Sequence, residues 1–272
     1  MADYVTKIRT IDGDKQIDFK ALANRPTASS VSTVVSGESS SALGYSTIAN
    51  EYQFVAGRYN ANTSAPTGVS DTTGSLMVIG KGTSASSLSN AFRVSATGIV
   101  YGNGTFKTSG ADYAEYFEWV DGNPENEDRR GLFVTLDGEK IKIANADDDY
   151  ILGIVSVKPS ITGDTQSEEW QGRYLKDVFG EYLTVKEANE DGVIETKWIE
   201  NPEYDPNMKY VSREDRQEWD AVGMLGKLIV VDDGSCEVNG YCKAGNKGRA
   251  TKSEYGYRVL ARIDEKHIKV LL

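Results

Sequence analysis

The sequence predicts a mostly β chain: an elongated stalk that borrows its core from identical neighbours, followed by a compact β-rich C-terminal domain. Three observations carry this. Residues 27–109 are rich in Ser, Thr, Gly, Ala and Asn, and between Pro26 and Asn50 the one charged residue is Glu38. Such a stretch cannot bury enough apolar surface alone to offset its ordering entropy, so it is either disordered or packed against copies of itself. Short apolar and aromatic runs punctuate it and favour the second option. Beyond residue 110 the apolar runs lengthen and are separated by turn dipeptides, which reads as a self-sufficient β domain.

The elements follow in chain order. Residues 1–25 form a hairpin module, with strands at 4–11 and 15–19 flanking Asp12-Gly13, a dipeptide that supplies the positive φ of a tight turn; Pro26 ends it. Phage structural proteins open with a similar segment, which makes this an attachment end by resemblance and a capping hairpin on residues alone. Residues 26–110 are the stalk. Its short strands are expected at Ala42-Leu43-Gly44-Tyr45, Ile48-Ala49, Tyr52-Gln53-Phe54-Val55-Ala56-Gly57, Leu76-Met77-Val78-Ile79-Gly80, Ala91-Phe92-Arg93-Val94 and Gly98-Ile99-Val100-Tyr101. Ala42-Leu43-Gly44-Tyr45 and Val55-Ala56-Gly57-Arg58 echo each other 13 residues apart, which resembles the head repeats of trimeric adhesins.

Residues 111–272 carry a hairpin, Leu132-Phe133-Val134-Thr135-Leu136 and Lys140-Ile141-Lys142-Ile143 about a turn at Asp137-Gly138. Further strands are expected at 151–157, 225–231, 259–263 and 268–271. Ser212-Arg213-Glu214-Asp215 is the clearest helical turn, with Ser212 as its cap. Asp147-Asp148-Asp149 and Asp232-Asp233 lack the alternating spacing of a calcium loop and read as solvated turns. Cys236 and Cys242 suit a hairpin disulfide or half a metal site, but one histidine, His267, and a cytosolic setting favour two reduced thiols. Glu127-Asp128-Arg129-Arg130 reads either as a surface turn or as a set of forked arginine–carboxylate bonds.

The candidate chemistry lies at the seam between the two parts. As a strand, residues 111–119 place Ala111, Tyr113, Glu115, Phe117 and Trp119 on one face and Asp112, Ala114, Tyr116 and Glu118 on the other. Glu115 then sits in an aromatic row. Burying a carboxylate there disfavours its charged form and raises its proton affinity, which suits a group that gives and takes a proton near neutrality. On residues alone, a half-buried strand with Glu115 at its wet end is the simpler reading.

The same segment resembles the start of the peptidase G2 domain, the intramolecular-chaperone autocleavage domain at the C-terminus of phage tail spikes and tail fibres. The resemblance runs from Gly110 through Asp121-Gly122-Asn123-Pro124, Glu127-Asp128-Arg129-Arg130-Gly131 and Asp149-Tyr150-Ile151-Leu152-Gly153-Ile154-Val155. It continues through Trp170, Arg173-Tyr174-Leu175 and Val222-Gly223-Met224-Leu225-Gly226-Lys227 to Asp232-Asp233-Gly234-Ser235-Cys236. It implies an intertwined homotrimeric fibre in the virion, attached to a tail or baseplate protein by its N-terminal segment. Residues 111–272 would be a chaperone domain that guides assembly and then cuts its own chain. By this resemblance Glu115 is the catalytic general base or acid of a single-turnover, glutamic-type peptidase. Asp112 assists it, and the cut falls between Ala111 and Asp112, with Gly110-Ala111 the next choice. No cofactor or metal is implied.

Charge and hydropathy bound the alternatives. Residues 1–110 hold 9 Lys+Arg and 7 Asp+Glu, the remainder 21 and 34, so the net charge of -11 resides in the C-terminal part. That argues against nucleic-acid binding, which needs basic surface. No run of about 18 apolar residues and no signal-like N-terminus is present, so membrane insertion is not expected and assembly in a bacterial host cytoplasm is. Two other readings remain. One is a non-cleaving trimeric tip that binds a host cell-surface glycan through some of its 15 Tyr. The other is a polysaccharide hydrolase with two acids roughly 5 to 9.5 Å apart, for which no pair stands out.

Overall fold

The computed structural model describes residues 7–10, 13–16, 27–29, 34–35, 39–66, 73–165, 172–190 and 192–272. Asp12 of the expected first turn, Pro26, and Trp170 of the resemblance lie outside the described residues. The chain divides into two compact units, Met1–Lys107 and Thr108–Leu272.

In the first unit, β1 (Lys7–Thr10) and β2 (Gly13–Gln16) pair antiparallel. Thr10 stands opposite Gly13 in this pairing. There follow β3 (Thr27–Ser29), β4 (Val34–Val35), β5 (Ser41–Tyr45), β6 (Ile48–Ala49), β7 (Phe54–Arg58), β8 (Ser75–Lys81), β9 (Asn90–Ser95) and β10 (Val100–Gly102). The sheet runs β10-β9-β8-β7-β5-β3, parallel from β3 to β8 and antiparallel beyond, while β4 pairs with β6 in parallel.

The 13-residue echo is one turn of this parallel coil. Ala42 lies opposite Val55 and Gly44 opposite Gly57. The coil also has a third copy that the sequence reading missed, Val78-Ile79-Gly80-Lys81, in register with Val55 to Arg58. Spacing hid it, because the longer connection after β7 breaks the 13-residue interval. Glycine is required in the column: with Gly44 at φ +118°, a Cβ there would come 1.9 Å from the Gly57 carbonyl oxygen, and one on Gly57 would come 2.3 Å from that of Gly80. Inside, Ala42, Ala49, Val55 and Val78 are fully buried. At the corners, the Asn60 side chain closes a two-way bond with the Ile48 backbone, accepting its N–H at 2.8 Å and donating to its carbonyl at 3.0 Å.

The second unit comprises β11 (Asp112–Glu118), β12 (Phe133–Asp137), β13 (Lys140–Ile143), β14 (Gly153–Val155), β15 (Ile161–Gly163), β16 (Thr184–Ala188), β17 (Ile194–Trp198), β18 (Trp219–Val231), β19 (Tyr241–Ala244), β20 (Ala250–Ser253), β21 (Tyr257–Arg262) and β22 (His267–Leu271). Ten of these form one sheet in the order β13-β12-β14-β18-β22-β21-β19-β20, with β11 between β18 and β15. Alternation along its strands builds a core on each face. Phe133, Ile154, Leu228, Val230, Ile268 and Val270 pack on one side, and Trp119, Val134, Ile141, Val155 and Val222 on the other. Each large side chain buried in this way contributes roughly 1.5–3 kcal/mol.

Several expectations shift by local physics. The 137–140 turn pairs Asp137 with Lys140, so its loop is Gly138 and Glu139, with Gly138 at φ +64°. Ser212 precedes a 3-10 turn, Arg213–Asp215, but its hydroxyl donates to the Asp215 carboxylate at 2.9 Å instead of capping the backbone. Asp232 is not a solvated turn residue. It is buried, held by the Arg262 guanidinium, and accepts the Cys236 N–H. Cys236 and Cys242 are free thiols within the first core, where burial pushes Cys242 up to about 12 and Cys236 higher still, so neither carries a reactive thiolate. Among the described residues, no helix is long and apolar enough to cross a membrane.

Candidate active site

β18 is the scaffold of the site. Its first half pairs with β11 and its last five residues, Lys227 to Val231, pair with β22. The handover falls at Gly226, which stands opposite Asp112 and exchanges backbone bonds with Leu272. The Ala111–Asp112 peptide therefore sits where one strand along this edge ends and the next begins. The Ala111 carbonyl accepts the Lys227 N–H at 3.1 Å, and the Asp112 carbonyl accepts the Ser160 N–H at 2.7 Å. Gly226, at φ +123°, permits this approach, because a Cβ there would lie 2.3 Å from the Ala111 oxygen.

Asp112 turns its side chain inward. It is 7% exposed, and its Oδ2 has no hydrogen-bonding partner among the described residues. The carboxyl lies over Gly223 of β18, where a Cβ would come within 2.7 Å of Oδ2. A buried polar atom left unpaired costs about 1–3 kcal/mol, more for a charged group.

Glu115 lies on the opposite face of β11, as alternation requires. The aromatic row exists but is graded: Trp119 is buried in the second core, Phe117 packs against it, and Tyr113 at the other end is 36% exposed. Glu115 is half-buried in the wet half of the row instead of being enclosed by it. Its Oε1 accepts the Tyr113 hydroxyl, a bond that is the main cause of the raised Tyr113 pKa. On the neighbouring strand, burial raises the carboxyl of Asp220, which accepts the Trp119 indole N–H at 2.8 Å.

The two predicted carboxylates are thus not brought together within one chain. Three residues of extended strand separate them, about 10 Å at ~3.3 Å per residue. A cavity of about 470 Å³ opens beside the Ala111–Asp112 peptide, lined in part by Arg130, Lys158, Lys227 and Lys269. Sequence reasoning missed this cationic lining and the Gly226 clamp. The Gly226-Lys227 pair within the quoted 222–227 motif was the available signal.

The far end of β11 is pinned by the arginine cluster, and forked bonding prevails over a plain surface turn. Arg129 is buried, bonds both oxygens of Asp121 at 2.9 and 2.7 Å, reaches Glu127 at 2.9 Å and stacks 4.4 Å over the Trp119 ring. Arg130 pairs instead with Asp128 at the surface. His267 is held through Nδ1 by Asp264 at 2.8 Å.

Comparison with known proteins adds the following. The family model described as "Peptidase_G2, IMC autoproteolytic cleavage domain" matches residues 59–269, starting well before Gly110. The preneck appendage protein of Bacillus phage PZA is 38% identical over 142 residues, 52% of this chain and 16% of that protein. The pre-neck appendage protein of Bacillus phage phi29 is 36% identical over 138 residues, 51% and 15% respectively. The chain thus spans about a sixth of the length of these relatives. Among solved structures, pre-mature bacteriophage phi29 gene product 12 shares the fold at a TM-score of 0.58 and 21% identity, over 90% of this chain and 36% of that one.

Proposed function

Because the chain belongs to the Peptidase_G2 family of IMC autoproteolytic cleavage domains, we propose that it is a phage appendage component that assembles as a homotrimeric tail fibre or spike and then cuts itself between Ala111 and Asp112. The observation that carries this reading is the setting of that bond. Its carbonyl is held by the Lys227 N–H, its following residue carries a buried carboxylate whose Oδ2 has no hydrogen-bond partner among the described residues, and a cavity lined by Lys158, Lys227, Lys269 and the Arg130–Asp128 pair lies beside it. In the reaction, water attacks the Ala111 carbonyl carbon while Glu115 takes its proton. The C–N bond breaks, and the proton passes to the Asp112 nitrogen. The Lys227 N–H and the cations stabilise the developing oxyanion.

The first unit would supply the stalk, with residues 1–25 docking to a tail or baseplate protein. The assembled fibre would form in the host cytoplasm and serve in the virion. Cleavage after assembly acts as a kinetic lock, since the fibre can no longer unwind by the route along which it formed. A second reading, glycan binding by an uncut tip, is favoured by one feature. Tyr174, Tyr182 and Trp198 form an aromatic cluster with ring centroids 4.5 to 6.0 Å apart, and Trp198 is 49% exposed.

Intact mass and denaturing electrophoresis of the wild type beside Glu115→Gln test the proposal. The expected result is two fragments of roughly 110 and 160 residues from the wild type and an uncut variant. An intact 29.7 kDa chain in both would overturn self-cleavage and leave the glycan reading.

A further inference from the structure

We propose that Tyr113 is a positioning residue for the cleavage reaction: its hydroxyl holds the Glu115 carboxylate in one orientation, ionised and ready to take a proton from water, in a slot that Gly163 keeps open. This rests on the self-cleavage reading above and adds how the base is held.

The strand sets up the pair. Tyr113 and Glu115 are two residues apart on β11 and so project from the same face. The Tyr113 hydroxyl donates to Glu115 Oε1. Among the described residues Glu115 has no ion pair and no other side-chain donor, so Oε2 is the oxygen left to meet water. The ring that carries the hydroxyl is flanked in cross-strand register by Ile161 of β15 and Leu225 of β18. Apolar neighbours so placed restrict the ring between them.

Gly163 makes the room. It stands opposite Glu115 on β15, and a Cβ there would come 2.9 Å from the Tyr113 hydroxyl oxygen and 3.1 Å from Glu115 Cγ. Gly163 is not among the glycines at positive φ, so space and not backbone conformation calls for glycine here. A glycine inside a strand weakens it and marks a place where another group approaches closely. The group that approaches here is the Tyr113–Glu115 pair.

The surroundings leave the hydroxyl to act on the charge. Glu115 is faced by Phe117 on β11, by Val222 with Asp220 and Met224 at the diagonals on β18, and by Gly163 and Ile161 on β15. The one further titratable group in this set is Asp220, whose carboxyl accepts the Trp119 indole N–H. A hydrogen bond donated to a carboxylate favours its ionised form. The same bond raises the pKa of Tyr113, so the phenol keeps its proton and remains a donor.

The test follows cleavage of full-length chains that are unfolded in urea before they are cut and then diluted into buffers across a pH series. Denaturing electrophoresis and intact mass read the rate. Tyr113→Phe keeps the ring and removes the hydroxyl, and is expected to slow cleavage about tenfold to a hundredfold through loss of positioning. It is also expected to move the rising limb of the rate–pH profile to higher pH, because the ionised base has lost its donor. Gly163→Ala keeps both partners, crowds them apart and should act in the same direction. Urea midpoints of both variants in the Glu115→Gln background check that the fold is kept. A Tyr113→Phe chain cut at the wild-type rate overturns the proposal and leaves self-cleavage standing. One slowed equally at every pH also overturns it, since packing alone is then lost. Should Tyr113→Phe not fold, Gly163→Ala decides on the same terms. If the wild type stays whole at every pH, self-cleavage itself fails and the proposal with it.

Discussion

Asp121 shows what one residue does for the site. Its carboxylate receives the forked Arg129 bonds, and this lowers its pKa from 3.8 to about 2. A carboxyl depressed on folding contributes stability above its unfolded pKa and loses that contribution as the pH falls through its folded one. Asp121 is 57% exposed, so solvent screens part of the effect. Wild type should therefore have a higher urea midpoint than Asp121→Asn at pH 6, the gap closing between pH 4 and pH 2. A gap that persists at pH 2 would show that the fork does not act through this charge. Arg129 itself was visible in the sequence as one of two adjacent arginines. Which of the pair would be buried was not, because that depends on Trp119 and Asp121 meeting it in space.

At the scale of elements, the glycine column of the first unit allows a sharp prediction. Gly57→Ala places a methyl 2.3 Å from the Gly80 carbonyl oxygen, and that oxygen is backbone, with no flexible side chain to yield. Strain in a positive-φ residue adds to the clash, for a cost of order 1–3 kcal/mol. Amide hydrogen exchange should quicken in β5, β7 and β8 while β18 stays protected; unchanged exchange in β7 would refute the stacking. Such elements were legible to different degrees. β5, β7, β12, β13 and β22 announced themselves through apolar runs or turn dipeptides. β15 is three residues long, too short for a periodic signal, and β16–β17 sets Glu187 opposite Glu195 in a largely exposed hairpin. Non-local pairing and the Tyr174, Tyr182, Trp198 cluster create these strands. The site divides in the same way. The faces of β11 follow from alternation, whereas Gly226 against the 111–112 peptide, and Lys158 and Lys269 in the cavity beside it, come from strands and loops distant in sequence.

For the whole molecule, the unequal cores set the expectation. The second unit has two apolar clusters with Trp119, Phe133, Ile141, Ile154 and Ile268 fully enclosed, whereas the fully buried apolar side chains described in the first are Ala42, Ala49, Val55 and Val78. Residues 108–272 expressed alone should unfold in one cooperative transition. Residues 1–107 alone should show no cooperative transition at micromolar concentration, since alanine and valine enclose too little apolar area for an isolated chain. Calorimetry of the two fragments checks this, and a sharp endotherm from residues 1–107 as a monomer would contradict it.

The unpaired oxygen of Asp112 bears on which form of the chain the fold suits better. In the intact chain the Oδ2 of this buried carboxylate has no hydrogen-bond partner among the described residues. Hydrolysis of the 111–112 peptide would turn the nitrogen of the same residue into an ammonium group, a few ångströms from that oxygen. The vacancy in the uncut molecule has the shape of its own product. Precursor and product would then differ in more than connectivity: the severed form would give this oxygen a partner, and rejoining the bond would mean orphaning it again. A fold arranged in this way behaves as a ratchet whose tooth is made by the step it secures.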